Sequence, residues 1–183
     1  LRPGGDLIWQ IGTAYFGCRD KEGNFCPDSF ADKARGKTVK MIDIKISQGA
    51  KPGHGGILPA DKNSPEVAKM RQIEPYKRVN SPPFHSAFST PVGLLEFIQK
   101  LRHLSDGKPV GFKLCIGKKS EFLALCKAML NTGIKPDFIT LDGWGGWSRG
   151  RSHGVHRRCR YALERGSGFR SRCFKRLRPE DRA

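Results

Sequence analysis

Strand signals and helix signals alternate through residues 6–142, and that alternation confines the chain to a sheet with crossover helices. Asp6–Gly12 (DLIWQIG) and Val39–Ser47 (VKMIDIKIS) are short and rich in β-branched residues, and read as strands. Pro109–Gly117 (PVGFKLCIG) and Asp137–Asp142 (DFITLD) are nearly continuous apolar runs, as expected of strands buried on both faces. The segments between carry helix starts. Ser64 followed by Pro65 and Glu66 predicts an N-cap, a proline in the first turn and an acidic first turn, and Thr90 with Pro91 repeats the pattern before VGLLEFIQKLRHL. Leu94, Leu95, Ile98 and Leu101 then fall on one stripe. A third helix is predicted over Ser120–Asn131, with Phe122, Leu125, Cys126 and Met129 on one face and Gly133 as its stop. This is the rhythm of a parallel α/β domain. A closed eight-stranded barrel takes ~250 residues, so four strands would make up about half of one.

Charge divides the chain in two. Residues 1–143 hold 22 Lys+Arg against 14 Asp+Glu, whereas residues 144–183 hold 12 against 3. The tail also uses Arg almost exclusively, and its bulky apolar residues follow neither a two-residue nor a 3.6-residue period. A domain over 1–143 and a disordered, Arg-rich non-domain tail over 144–183 are expected, and a genuine tail would bind nucleic acid or other phosphate surfaces. No apolar run approaches the ~18 residues that cross a bilayer, so no membrane partner is expected. The chain starts on Leu1, and Leu1–Trp9 lacks the basic-then-apolar layout of a signal peptide. A piece of a cytoplasmic protein is the expectation. The six cysteines are scattered and form no CxxC pair, which predicts reduced thiols, Cys115 and Cys126 among them in the core, and no zinc site.

Three places could carry chemistry. The loop Ser47–Ala60 (SQGAKPGHGGILPA) follows a strand and holds four glycines and Lys51, so its backbone can approach an anion closely while Lys51 adds a charge. It matches neither a Walker A loop nor GxGxxG. Lys113 interrupts an apolar strand, a costly position unless its ammonium emerges at the strand end to meet a partner. His54 and His85 are lone loop histidines, each readable as a hydrogen-bonded spacer or as a base, and no HxH or HxxxH pair supports a metal. Ser81–Ser86 (SPPFHS) reads as a rigid turn.

SQGAKPGHGGILPADKNSPEVAKMR, SPPFHSAFST, GFKLC and ITLDG, in this order and spacing, resemble the FMN-binding barrel domain of the glutamate synthase family, in particular its stand-alone members. The resemblance covers about Asp6–Gly143. It implies a (β/α)8 TIM-type barrel, present here in part, with FMN at the C-terminal ends of its strands. It further implies an oxidoreductase that reduces 2-iminoglutarate, formed from 2-oxoglutarate and ammonia, to L-glutamate. By the same resemblance Gln48, Lys51 and Arg71 hold the 2-oxo acid, Lys113 lies at the flavin's pyrimidine edge, and Asp142 and Gly143 lead into the phosphate loop of the cofactor. Lys45 matches a further family position. An Arg forks a carboxylate and a Lys can stabilise negative charge on reduced flavin, so the implied roles suit the side chains. The electron donor implied is ferredoxin or an NAD(P)H-oxidising partner.

The chain departs from that pattern in several ways. Typical members read Glu-Gly-Gly-Gln-Leu-Pro-Gly where this chain has His54-Gly55-Gly56-Ile57-Leu58-Pro59-Ala60. Ile57 therefore replaces a glutamine that contacts substrate, and an apolar side chain makes no hydrogen bond. This leaves open an FMN oxidoreductase acting on another imino or oxo acid. The glutaminase domain and the iron–sulfur cluster ligands of the family are absent from this chain. After ITLDG the family continues with an acidic residue and a Gly-rich phosphate loop, whereas this chain reads Trp144-Gly145-Gly146-Trp147. Removing one G after the Trp144 codon lets permitted codons read Trp-Glu-Gly-Gly-Ala-Gly, which restores the loop. The expectation is that the tail is out-of-frame translation, and that the chain as written is an inactive fragment.

Overall fold

The computed structural model describes residues 5–46, 55–116 and 118–141. Gln48, Lys51, His54, Asp142, Gly143 and the whole tail over 144–183 lie outside the described residues.

Four parallel strands form one sheet. In chain order the elements are β1 (Leu7–Ile11), α1 (Pro27–Ala34), β2 (Val39–Lys45), β3 (Gly56–Leu58), α2 (Pro65–Arg71), β4 (Val79–Ser81), α3 (Pro91–Leu104), β5 (Val110–Leu114), α4 (Lys119–Thr132) and β6 (Ile139–Leu141). The sheet runs β1-β2-β5-β6 with every neighbour parallel, while β3 and β4 pair antiparallel as a separate ribbon. Strand order follows chain order without reversal. Such winding lets right-handed crossovers stack their helices on one side of the sheet, and α3 packs against both α1 and α4.

The predicted helix starts form as the residues dictate. Ser64 Oγ accepts from Val67 N at 3.4 Å and Thr90 Oγ1 accepts from Gly93 N at 3.0 Å, each satisfying one of the orphan N–H groups of a first turn. Gly133 closes α4 at φ 71°, a conformation in which Cβ would be strained. Leu94, Leu95, Ile98 and Leu101 of α3 are buried, joined by Phe97. They meet Ile42 and Ile44 of β2 and Val110, Phe112 and Leu114 of β5 in one core. At the N-terminal end of the sheet Asp137 ties the elements together, accepting from Val110 N at 2.9 Å and from Arg102 at 2.8 Å.

The expectation of strands buried on both faces holds for β5, where every residue but the half-buried Lys113 is buried, and is corrected for β6, where Thr140 is exposed and Ile139 and Leu141 are half-buried. Side chains alternate across a strand, so Ile42, Ile44 and Phe112 point into the core while Asp43, Lys45 and Lys113 point to the other side. The pairing places Gln10, Asp43 and Gly111 in one row and Lys45, Lys113 and Thr140 in the next. A Cβ on Gly111 would fall 2.4 Å from the Phe138 carbonyl oxygen, so only glycine fits that position. Two further elements were not expected from the sequence: α1, whose cap position Cys26 makes no side-chain cap bond, and the three-residue ribbon strands β3 and β4. Cys18, Cys26 and Cys126 take part in no disulfide, in line with the expected reduced thiols. Cys115 is buried as expected of a core residue but disulfide-bonded, a departure from the expected reduced thiol; it sits just past β5, at the sheet's C-terminal end.

Candidate functional site

The C-terminal end of a parallel sheet gathers the loops that leave its strands, and the side chains of its last row face whatever those loops enclose. Here that row is Lys45, Lys113 and Thr140 on adjacent strands. Both lysines are half-buried, and their in-register pairing brings two ammonium-bearing side chains to neighbouring positions on the polar face. One row below, Asp43 is 6% exposed, and its Oδ2 accepts from Gln10 Nε2 at 2.7 Å. Its second oxygen has no partner among the described residues. The Asp43 carboxylate thus offers a counter-charge beneath the lysine row.

The connection after β1 reaches the same end. Tyr15 is fully buried, and its hydroxyl accepts from Ala87 N at 3.0 Å and lies 3.0 Å from His85 Nδ1. His85 Nε2 lies 3.0 Å from the Lys45 carbonyl oxygen. A carbonyl can only accept, so Nε2 carries the proton, and Nδ1 accepts from the Tyr15 hydroxyl. His85 is therefore a neutral ring in a lock that joins the first connection, the last residue of β2 and the SPPFHS segment. Burial pushes its pKa down, partly opposed by the bond to the Lys45 carbonyl. Burial likewise pushes the Tyr15 pKa up. Of the two sequence readings of His85, the hydrogen-bonded spacer is the one this geometry fits. The thiol of Cys18, buried nearby, is pushed up to about 12 by desolvation despite the opposing charge of Lys33.

Arg71 is the last residue of α2, and its guanidinium carbon lies 5.0 Å from the centre of the Phe16 ring. Phe16 stands in the connection that leaves β1, so Arg71 is held against the C-terminal side of the sheet by a cation–π contact. Of the residues singled out in the sequence, the structure describes Lys113 on β5, Arg71 on α2 and Ile57 on β3, the last 63% exposed and paired with Asn80. Gln48, Lys51, Asp142 and Gly143 are outside the described residues. An open depression of about 410 Å³ lies elsewhere, between Asn24 and Phe25 of the first connection and Glu96, Phe97 and Lys100 of α3, and neither Lys113 nor Arg71 lines it. We place the candidate site at the lysine row, where two charges of one sign are in register, whereas the depression is lined by one charge of each sign, Glu96 and Lys100. Among the described residues no group of three His, Cys, Asp or Glu could hold a metal ion, and no helix is long and apolar enough to cross a membrane.

Sequence reading passed over Tyr15, Phe16 and Arg19. The available signal was the run Tyr-Phe-Gly-Cys-Arg, separated by three residues from the C-terminal end of β1, where parallel sheets put their binding residues.

Comparison with known proteins now decides the family. The profile described as "Conserved region in glutamate synthase" matches residues 1–154. The chain belongs to the glutamate synthase family. It is 43% identical over 143 residues to the glutamate synthase large subunit-like protein YerD of Bacillus subtilis, a stretch covering 78% of this chain and 27% of that protein. It is 40% identical over 76 residues to the ferredoxin-dependent glutamate synthase of Antithamnion, covering 42% of this chain and 5% of that one. The chloroplastic ferredoxin-dependent enzyme of Oryza sativa is 39% identical over 76 residues, again 42% of this chain and 5% of the relative. The chain thus spans about a quarter of the length of the first of these relatives and a twentieth of the others.

Proposed function

We propose that this chain carries the N-terminal half of the barrel of an FMN-dependent oxidoreductase of glutamate synthase type, which reduces 2-iminoglutarate, formed from 2-oxoglutarate and ammonia, to L-glutamate. The observation that carries this reading is the lysine row at the C-terminal end of a singly wound parallel sheet in a member of this family. The unreversed strand order is what a stretch of a (β/α)8 barrel requires, and the polar face of the sheet would become the inside of that barrel. Residues 1–143 are read as the barrel portion, residues 144–183 as a tail outside it.

The donor set suits an anionic flavin. Lys113 would hold the pyrimidine edge, and Lys45 beside it adds a second positive charge where negative charge develops on reduction. Asp142 and Gly143 would lead to the phosphate. Bound FMN would supply the electron pair for reduction of the imine. Arg71 would fork a carboxylate of the 2-oxo acid, with Gln48 and Lys51 as its companions, and so orient the carbon to be reduced. The neutral His85, bonded through Tyr15, holds the Lys45 carbonyl and with it the end of β2. The names of the Antithamnion and Oryza sativa relatives favour ferredoxin as electron donor.

The test begins with the DNA across the codons for Asp142–Arg151. One G fewer than the present reading would restore a Gly-rich phosphate loop. The protein expressed from the restored frame is expected to keep flavin absorbance after desalting and to form glutamate from 2-oxoglutarate, ammonium and reduced ferredoxin. An intact frame together with a colourless protein would overturn the reading. In that case the Arg-rich tail favours nucleic-acid binding, recognisable by an affinity that falls steeply with log salt and disappears when Trp147–Ala183 is deleted.

A further inference from the structure

Arg71 does not stand alone over Phe16. The guanidinium carbon of Arg19 lies 5.8 Å from the same ring centre, so the two cations are no farther apart than their two distances to the ring together. Both arginines are half-buried. Neither forms an ion pair with a carboxylate among the described residues. Two guanidiniums sharing one ring repel each other, and the ring quadrupole compensates only weakly. An anion reaching both would relieve that repulsion and receive the planar N–H forks that match carboxylate geometry.

The backbone around the pair is built to keep it together. Arg19 N donates to Gln72 Oε1 at 3.2 Å, and Gln72 Nε2 donates to Ser29 Oγ at 3.1 Å. Gln72 is the residue that follows Arg71 and ends α2 in the left-handed region at φ 58°. The peptide of one arginine is thereby bonded to the immediate neighbour of the other. Gly17 lies between Phe16 and Cys18 at φ 87°, and a Cβ there would be 3.6 Å from the Met70 carbonyl oxygen, so the loop lies directly against the end of α2. Lys33 Nζ bonds the Gly17 carbonyl and fixes the loop from the α1 side.

We infer that Arg19 is a second carboxylate-binding residue of the oxo-acid site and that Phe16 positions both guanidiniums. The inference rests on the proposed role of Arg71 and extends it. A dicarboxylate brings two negative ends, which a single fork cannot neutralise. It also addresses the departure at Ile57, because Arg19 supplies a polar contact to substrate that an isoleucine side chain cannot.

Calorimetric titration of 2-oxoglutarate, and separately of succinate, into the full chain tests this. Both Arg19→Met and Arg71→Met are expected to weaken 2-oxoglutarate by about 10-fold to 100-fold. Phe16→Leu, which keeps both charges and removes the platform, is expected to weaken it by about 3-fold to 5-fold. Arg35→Met serves as control, since Arg35 pairs with Asp106 and the Leu104 carbonyl away from Phe16, and is expected to change nothing. Far-ultraviolet circular dichroism checks that each variant folds. If Arg19→Met fails to fold, Arg19→Lys decides, because it keeps the charge and loses the fork: several-fold weakening supports the inference and unchanged affinity overturns it. Loss of binding in Arg71→Met with full binding in Arg19→Met would overturn the inference and leave the oxo-acid reading standing. Succinate binding that depends on both arginines, with no binding of 2-oxoglutarate, would support the dicarboxylate pair and overturn the oxo-acid reading. A folded wild-type chain that takes up neither compound overturns the inference.

Discussion

The two faces of the sheet come from the same few residues of each strand and do opposite things. On β2, Ile42 and Ile44 are fully buried against the helices, while Asp43 and Lys45 between and beside them carry charge on the other side. On β5, Phe112 is fully buried, while Lys113, the next residue, stands in register with Lys45. The helix-covered face is made of side chains whose removal from water stabilises the fold. The opposite face holds groups whose desolvation is costly unless they meet a partner, and such groups persist where binding or catalysis uses them. A strand has a period of two, so one five-residue segment can serve both purposes without either spreading into the other.

Substitutions on the two faces, and at the lock where they meet, break this comparison to different degrees. The largest loss is expected from the helix-covered side. Phe30 of α1 is fully buried, stacked on Trp9 at 5.4 Å and tilted against Phe25 at 5.6 Å. Phe30→Ala is expected to cost about 3–5 kcal/mol in urea unfolding, through lost transfer energy and the cavity left behind. A cost below about 1 kcal/mol would show that this aromatic cluster is not part of the cooperative core.

An intermediate loss is expected at the lock between the faces. Tyr15→Phe keeps the ring and removes the hydroxyl, leaving His85 Nδ1 and the Ala87 N–H unpartnered in a buried place. Stranding them is expected to cost about 1–3 kcal/mol in the same assay. A smaller, pH-dependent effect comes from His85 itself. Its folded-state pKa lies below the ordinary 6.5, so below that pH the unfolded chain takes up a proton that the folded chain refuses. Stability is then complete above pH 6.5 and declines as the pH falls from there toward the lowered folded value. His85→Gln, whose amide can still donate to Lys45 and accept from Tyr15, is expected to flatten that decline in melting temperatures taken between pH 5 and 8. An unchanged slope would assign it to other groups.

Much of the helix-covered face was legible in advance because local chemistry decides it. Ser64 and Thr90 cap helices with their own oxygens, and the apolar stripe of α3 needs only a 3.6-residue period. Helix α1 was missed because its cap position is Cys26, which offers no cap bond, and because its apolar residues are few. The ribbon of β3 and β4 was missed because three residues per strand are too few to show alternation. The polar face was half legible. Lys113 was conspicuous in an apolar run, whereas the alternation Ile42-Asp43-Ile44-Lys45 was read only as strand propensity and its second face was overlooked. Arg71 came from family resemblance, and its contact with Phe16 could not have been read at all, since the two are 55 positions apart and meet only once α2 docks on the first connection. The same holds for Tyr15 and His85, whose bond depends on where the SPPFHS segment crosses the end of β2.

The central claim, that one face of this sheet carries the stabilising core and the other is the face we propose to meet ligands, is tested most directly by urea unfolding of Phe112→Ala beside Lys113→Met. These neighbouring residues share a strand and point to opposite faces. The account predicts a loss of about 3–5 kcal/mol for Phe112→Ala and a change smaller than about 1 kcal/mol for Lys113→Met. Comparable losses in the two variants would contradict it, because Lys113 would then be as much a part of the stabilising core as the phenylalanine next to it.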